Sequence, residues 1–576
     1  MAPAKQITTG TCSRLRWGVS ALLCLTSTIP FASGGGQKAI LGPPLKVDHD
    51  TRAIEKPKKE REVSELYAIL YNSLVRHLSP QTLALNHVNT GALNVNAWDE
   101  APDSSWFTNR IGRQTLTFEQ IRSGLEGKPP ASGDWVIRRV RDEGYTPKVD
   151  IQDTAGGGYI LKFDLPTTLE RNSGAERICT LIMHAAGFNV PHNSIVYFRP
   201  EALKLDDNSY YRDSIKRRRP LTQADLKDML AKLKALPDGR YRGLASLNVP
   251  GILFGPFVYV GRRKDDPNDL IPHQMRRELR GLRVIASWIN HVDVKDANAM
   301  DAYDPQGKYI RHYLLDFGSA FGGGDFINGP YRIGHEYIYD GAAMTRSFFT
   351  LGIWQRPWDI QGKIPYPQVG YFQAELFEPG KWKPNYPNLA FEQMDDSDAY
   401  WGAKIVTAFP DETIRKLAEA GEYSLPEVTR HIEQVLLKRR DAVGRYWFNR
   451  ITPLEEIKLS FSNENSTLRF RDLAVERGYV DAASRSYHLR VKDMKGRELC
   501  PASTLKTSGG VLSLPRFAFP DRTSQPPDRY GRIPLVRLLL ASGRTEGGLA
   551  RPVAVFLGYE RTSGSVTVLG WCHAPR

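Results

Sequence analysis

Beyond its N-terminus the sequence has no apolar run near the roughly 18–20 residues that a membrane span requires, which excludes a polytopic membrane protein. Cysteine is scarce, five in 576 residues, and the spacing of those five matches no metal-ligand pattern, which speaks against a structural zinc site. No internal repeat is visible. Compositional bias is lacking too: with 41% apolar and 25% charged residues, collagen, coiled coil and wholesale disorder are excluded. Acidic residues are in deficit, 64 against 78 Lys and Arg, for a formal charge of +14. That surplus fits nucleic acid, an anionic surface or a phosphorylated ligand, and charge alone does not choose among them. At roughly 100–200 residues per domain, the length predicts two to four domains.

Residues 1–33 read as an address. Lys5, Arg14 and Arg16 precede the uncharged stretch Trp17–Ala32, and Ala32-Ser33-Gly34 offers small residues to a signal peptidase. This is the pattern of a bacterial secretory signal, with an uncleaved N-terminal anchor as the alternative. Three positive charges and no negative ones lie in it, so the processed chain carries +11 and keeps Cys179, Cys500 and Cys572. In an oxidising compartment Cys500 and Cys572 are placed to pair, while Cys179 falls on a predicted helix and reads as buried.

The rest divides by pattern. Residues 34–61, rich in Gly, Pro and Lys, read as a flexible linker. Val63, Leu66, Tyr67, Leu70, Leu74 and Leu78 on helical spacing open a bracing segment, 62–130, in which Thr117 and Gln120 form a capping box. A first lobe, 131–200, has strands at 135–140, 148–152, 159–164 and 193–198 and a helix at 173–186; Ala155-Gly156-Gly157-Gly158 marks a hairpin. A second lobe, 201–454, is mostly helical: 222–236, a helix ending near Ile289, 398–408, 411–420 and 425–448, the last with a Ser424/Glu427 capping box. Asp304-Pro305-Gln306-Gly307 marks a second hairpin within it. Residues 455–576 return to short β-like runs and read as a β-sandwich-like module.

The chemistry concentrates at one place. His291-Val-Asp293-Val-Lys295-Asp-Ala-Asn298 fits H-x-D-x-K-x-x-N, and eighteen residues after Asn298 comes Asp316-Phe317-Gly318. Both strings belong to a phosphoryl-transfer signature set, and typical residue frequencies put their joint chance occurrence at the order of 10⁻⁴. Leu282, Ile285 and Ile289 give a helix running into the first string, and the second hairpin brings Asn298 and Asp316 to neighbouring strand ends. Upstream, Tyr159-Ile-Leu-Lys162-Phe places a lysine in a buried strand, where an unpaired ammonium is costly. Glu176 on the next helix is its natural partner. A lysine so held can reach the α- and β-phosphates of ATP.

With these residues the chain resembles the protein-kinase-like superfamily, and within it the HipA-type and phosphoinositide-kinase-like branch. Gly144-Tyr-Thr-Pro-Lys148 is similar to the HipA-type phosphate loop, and Ala185-Ala-Gly187-Phe-Asn-Val-Pro191 to the connection after the first helix in HipA-like proteins. The resemblance covers roughly residues 130–450. It implies an α+β, bilobal protein-kinase-like fold followed by the C-terminal β-sandwich-like module, with ATP and Mg²⁺ as cofactors. Carried onto this sequence, Asn298 and Asp316 are the metal ligands, and Lys162, Glu176, Gly144 and Lys148 the nucleotide-binding residues. Asp293 orients and deprotonates the attacking hydroxyl, and Lys295 neutralises the transferred group. His291 reads as structural support and Asp296 as a solvated turn residue. No Ala-Pro-Glu element follows Asp316; Ser319-Ala-Phe-Gly-Gly-Gly324 stands there instead, unlike eukaryotic protein kinases.

The expectation is therefore ATP- and Mg²⁺-dependent phosphoryl transfer to a hydroxyl of a protein, sugar or lipid-headgroup acceptor. The alternatives are a secreted pseudokinase-like binding or structural protein, and a nucleotidyltransferase on the same fold. No nucleic-acid partner is expected: Arg276, Arg280 and Arg283, and the run Lys216–Arg219, read as solvated faces without aromatic interleaving. Between Phe326 and Trp401, 17 of 76 residues are aromatic, which fits loop-rich surface packed on the helical lobe better than a groove. Asp395 to Asp398 reads as a helix cap.

Overall fold

The computed structural model describes residues 49–76, 91–141, 148–212, 217–323, 330–461, 466–507, 509–524, 527, 531–560 and 564–574. The expected leader, most of the linker, Leu78, Gly144 and Gly324 lie outside the described residues. Among the described residues no helix is long and apolar enough to cross a membrane.

Alternation of apolar and polar residues sets the first lobe. Strands β1 (Trp135–Arg141), β2 (Lys148–Gln152) and β3 (Gly158–Lys162) form an antiparallel meander. The Asp153 carboxylate accepts the N–H groups of Ala155 and Gly157, and Gly156 takes φ 84° in the turn between β2 and β3. Val149, Ile151, Tyr159 and Leu161 point to one face, where they share a core with Leu226, Met229 and Leu230. The period of two then puts Lys148 and Lys162 on the opposite face.

The sheet does not stop at residue 200. After β4 (Asn193–Phe198) it continues through β5 (Leu203–Arg212), β6 (Arg218–Pro220) and β7 (Tyr241–Leu247), in the order β4-β7-β3-β2-β1-β5-β6. The lobe boundary expected at 200 therefore moves to about 247. β7 pairs with both β3 and β4 from far along the chain, and such non-local pairing leaves no local signal. The helices also differ at their ends. α1 (Glu65–Leu70) is short, α2 (Phe118–Gly124) carries the expected Thr117–Gln120 box, α3 spans Arg171–Ala186, and α4 spans only Gln223–Ala231.

The second lobe holds α5 (Arg277–Trp288), α6 (Gly341–Phe349), α7 (Asp396–Thr407), α8 (Asp411–Glu419) and α9 (Pro426–Arg450), with α7 packed on α5 and α9 and α8 on α9, and the hairpin β9 (Ala299–Asp304) and β10 (Tyr309–Leu314), with β8 (Ile252–Leu253) on the edge of β9. Its core takes Ile178, Leu181 and Ile182 from α3 together with Leu282, Ile285 and Trp288 from α5, so α3 belongs to both lobes. Asp395 caps α7 as expected. The Ser424/Glu427 box is absent: Leu425 is the N-cap of α9, and Ser424 instead donates its N–H and hydroxyl to Glu170, each at 3.1 Å.

Two further expectations are corrected. Arg276 and Arg280 are not solvated but buried, and with Arg277 they pair with Asp269, Glu278, Asp99 and Asp398 inside the lobe. Residues 49–61 are not a free linker: Asp50 is buried against Ser105, and Ile54 and Arg61 donate backbone bonds to Lys308 and Phe254. The aromatic-rich stretch packs on the helical lobe as expected, with Tyr371, Phe372, Trp382, Tyr400 and Trp401 in its core, although Phe348 and Phe349 stand exposed.

The tail is a sandwich. A sheet of β11 (Leu454–Phe461), β12 (Ser466–Asp472) and β15 (Val511–Ser513) faces one of β13 (Ser486–Asp493), β14 (Ser503–Lys506), β16 (Arg532–Ser542), β17 (Val553–Glu560) and β18 (Ser565–His573) over a shared core. Cys179, Cys500 and Cys572 are all free thiols. Cys500 packs toward the sandwich core, as does Trp571; strand alternation turns the neighbouring Cys572 to the other face, beside Asp99 and Arg277. The expected pairing of Cys500 with Cys572 is therefore not made.

Candidate active site

The lysine face of the first lobe and the segments flanking the β9–β10 hairpin of the second border a cleft of about 710 Å³, lined by Lys148, Lys162, Glu176, Asp293, Lys295 and Asp316 among others. Lys162 Nζ donates to Glu176 Oε1 at 2.7 Å and lies 3.3 Å from Asp316 Oδ1; Lys148 Nζ lies 3.5 Å from Asp316 Oδ2. Four of the expected residues thus form one charge cluster across the lobes.

The chain builds this cluster from several elements. Lys148 and Lys162 occupy directly opposed positions in the β2–β3 ladder. Glu176 projects from the second turn of α3, whose start is fixed by Asp164 just after β3: its carboxylate accepts the N–H groups of Asn172 and Ser173 at 2.8 and 2.9 Å. Asp316 leaves β10 with φ 59°, a left-handed value that an aspartate holds only where its surroundings fix it. Phe317, buried beside it, sets its ring against His291 at 5.5 Å.

The electrostatics follow. The Lys162 ammonium, helped by Lys148, holds the Asp316 carboxyl well below the usual carboxylate range against the opposing effect of burial. Burial works against the charge on Lys162, but Asp316 and Glu176 outweigh it and keep the amine protonated. Burial raises the Glu176 carboxyl, with Lys162 pulling it back.

The second half of the site is the loop after α5. Lys295 Nζ lies 3.2 Å from Asp293 Oδ2, and Asn298 Nδ2 donates to the Asp293 carbonyl and to Oδ2 at 2.8 and 3.0 Å. Burial raises the Asp293 carboxyl, opposed by Lys295. Asn298 stands behind Asp293 rather than among the residues lining the cleft; with its amide nitrogen engaged, Oδ1 is the atom it can offer a cation. His291 is buried, and burial lowers its imidazole to about 4, so the ring is neutral and supports the loop as expected. Asp296 is not a solvated turn residue: it accepts the Tyr259 N–H at 3.0 Å and ties the loop to residues 258–260.

An Mg²⁺ ion fits this donor set only together with phosphate. Among the described residues no three His, Cys, Asp or Glu side chains converge on one point, so Asp316 and Asn298 would leave most of the positions of a hard octahedral cation to phosphate and water. The Asp316 side chain, 37% exposed, is open to such a ligand.

Sequence reasoning missed three supporting residues. Buried Asn193 on β4 donates to Glu176 Oε1 at 3.2 Å, the same oxygen that Lys162 holds. Asp164 holds α3, as described. Arg242 on β7 reaches across the lobes: it donates to Ser173 Oγ, to the Tyr197 hydroxyl and to the Gly421 and Glu422 carbonyls just past α8. A lone polar residue in a strand carries no signal of such a role.

Neither a protein-family model nor a curated protein matches the chain. Among solved structures it is similar to a Helicobacter pylori proinflammatory kinase, CtkA, with 10% identity and a TM-score of 0.28 over 55% of this chain and 99% of that one. It is also similar to the golgi casein kinase, with 11% identity and a TM-score of 0.26 over 70% of this chain and 96% of that one. The same kinase with Mn/ADP bound gives 12% and 0.25 over 70% and 95%. The two-lobed α+β fold of this chain rests on the strand order and lobe contacts given above.

Proposed function

We propose that the chain is a phosphotransferase that moves the γ-phosphoryl group of ATP to a hydroxyl. The observation that carries this reading is the cluster of Lys148, Lys162, Glu176 and Asp316 facing Asp293 and Lys295 across one cleft, with Asn298 behind Asp293. Lys162, held by Glu176, and Lys148 bind the phosphates. Asp293 orients the acceptor hydroxyl and takes its proton; its raised carboxyl suits a base better than a fully solvated aspartate. Lys295 places a positive charge where the transferred group gathers negative charge. Asp316 and Asn298 would hold Mg²⁺, whose charge offsets that of the phosphate oxygens. Gly144, outside the described residues, keeps the phosphate-loop role that the resemblance implies.

Labelled nucleotide separates this reading from the alternatives. Purified chain is given γ-³²P- or α-³²P-ATP with a cell extract as the source of acceptors. Transfer of γ-label, lost in Asp293→Asn, supports phosphotransfer; transfer of α-label instead supports nucleotidyl transfer; no transfer with retained ATP binding supports the binding protein. A secretory leader over residues 1–33 belongs to the same reading and puts the enzyme where another cell must supply ATP. A mature N-terminus near Gly34 supports it, and an intact Met1 in exported protein overturns it.

A further inference from the structure

The loop that carries Asp293 has a second side. Val294–Ala297 form one wall of a chamber of about 280 Å³, near the lower end of small-molecule pockets and sized for a single ring rather than a long chain. α1 and the turn after it form the facing wall, and residues 258–260 and 386–389 complete it. Lys295 and Tyr386 line both this chamber and the phosphate cleft, so the two spaces meet at those side chains.

The chamber is mainly apolar, and three of its polar side chains are engaged by backbone N–H groups. Ser64 Oγ accepts the Tyr67 N–H, Asn388 Oδ1 accepts the N–H groups of Ala390 and Phe391, and Asp296 Oδ1 accepts that of Tyr259. The rest of the lining is aliphatic surface, Glu62, Asn72, Lys295 and four tyrosines: Tyr67, Tyr71, Tyr259 and Tyr386. Tyr67 and Tyr71 are stacked, 5.9 Å between centroids. Aromatic walls of this kind favour a flat ring. The charged end of the chamber is Lys295, one side chain from Asp293.

Resting on the phosphotransferase reading, we propose that this chamber is the acceptor subsite and that the acceptor is a phenol. The ring lies among the tyrosines and its hydroxyl passes Lys295 to reach Asp293. The phenolic oxygen attacks the γ-phosphorus; a new P–O bond forms, the bond from that phosphorus to the β–γ bridging oxygen breaks, and ADP leaves with the electron pair. The phenolic proton goes to the Asp293 carboxylate. A phenol, with pKa near 10, yields that proton beside an ammonium more readily than an aliphatic alcohol.

The test uses the full chain with Mg·ATP and three probes: N-acetyl-tyrosinamide, a short tyrosyl peptide and N-acetyl-serinamide. Either tyrosyl probe is expected to raise ADP release at least tenfold over the water background, and the serinamide to leave it unchanged; which of the two is preferred tells a free phenol from a peptide side chain. Ala68→Trp, which fills the chamber, is expected to cut kcat/KM for the phenol at least tenfold while Mg·ATP affinity and the water background stay within twofold. Tyr67→Ala, on the exposed face of α1, is expected to raise KM for the phenol several-fold at unchanged kcat, and serves if Ala68→Trp misfolds. Serinamide used as well as tyrosinamide, or a filled chamber that leaves phenol turnover intact, overturns this proposal alone. A chain that neither binds Mg·ATP nor releases ADP with any acceptor overturns the phosphotransferase reading and this proposal with it.

Discussion

Lys148 and Lys162 are direct cross-strand partners on β2 and β3, two like charges in an arrangement that by itself repels. Asp316, from the other lobe, answers both, at 3.5 and 3.3 Å. The sheet face is thus built to meet negative charge. Asp316→Asn is expected to destabilise the chain by about 1–2 kcal/mol, and by about half as much when Lys148 is already Met, because the repulsion it uncovers is then gone. Urea melts of the two single variants and the double variant measure this; strictly additive effects would show that Asp316 does not couple to Lys148.

Glu176 is buried, and its loss leaves the Lys162 ammonium with Asp316 alone and the Asn193 amide short of an acceptor. Glu176→Ala is expected to cost on the order of 2–3 kcal/mol in a denaturant melt and to weaken ATP binding at least tenfold. A variant of unchanged affinity would remove Glu176 from the nucleotide site.

Acid should unfold the protein through its buried histidines. Burial lowers His184 to about 3, and His192, His291 and His335 to about 4 each, from a usual value of 6.5. Each is neutral in the fold and takes a proton near pH 6.5 once unfolded. Their contribution is therefore complete above pH 6.5, is lost progressively as pH falls, and is gone below about 4, or about 3 for His184. For His291 alone it amounts to about 3 kcal/mol. Thermal melts between pH 7.5 and 4.5 are expected to show Tm level down to about pH 6.5 and falling below it, with a shallower fall in His291→Gln; parallel curves would contradict the assignment.

Arg242 bridges the lobes through the Gly421 and Glu422 carbonyls at 2.7 and 2.6 Å, where a cation also suits the end of α8. Arg242→Ala is expected to lower stability by about 3 kcal/mol and to speed proteolytic cleavage between the lobes, read as fragment formation by limited trypsin digestion. Wild-type cleavage rates would show that the latch does not hold them.

What the sequence made legible was local. The 3.6-residue period drew α3 and α9 to within a few residues, and alternation drew β2 and β4 at their observed ends. The spacing of Asp293, Asn298 and Asp316 anticipated their meeting because a short hairpin joins them. What it concealed was set by distant chain. β7 enters the sheet between β4 and β3, Ser424 leaves its own helix to bind Glu170, and Arg276 and Arg280 turn inward because Asp269, Glu278 and Asp398 wait there. A basic helical stripe looks the same in sequence whether water or buried carboxylates face it.

The central claim, that Asp316 with Lys148 and Lys162 forms a seat for metal-bound nucleotide phosphates, is tested most directly by calorimetric titration of the full chain with ATP, with and without Mg²⁺. The account predicts Mg²⁺-dependent binding that weakens at least tenfold in Asp316→Ala. Binding by Asp316→Ala as tight as wild type, in the presence of Mg²⁺, would contradict it.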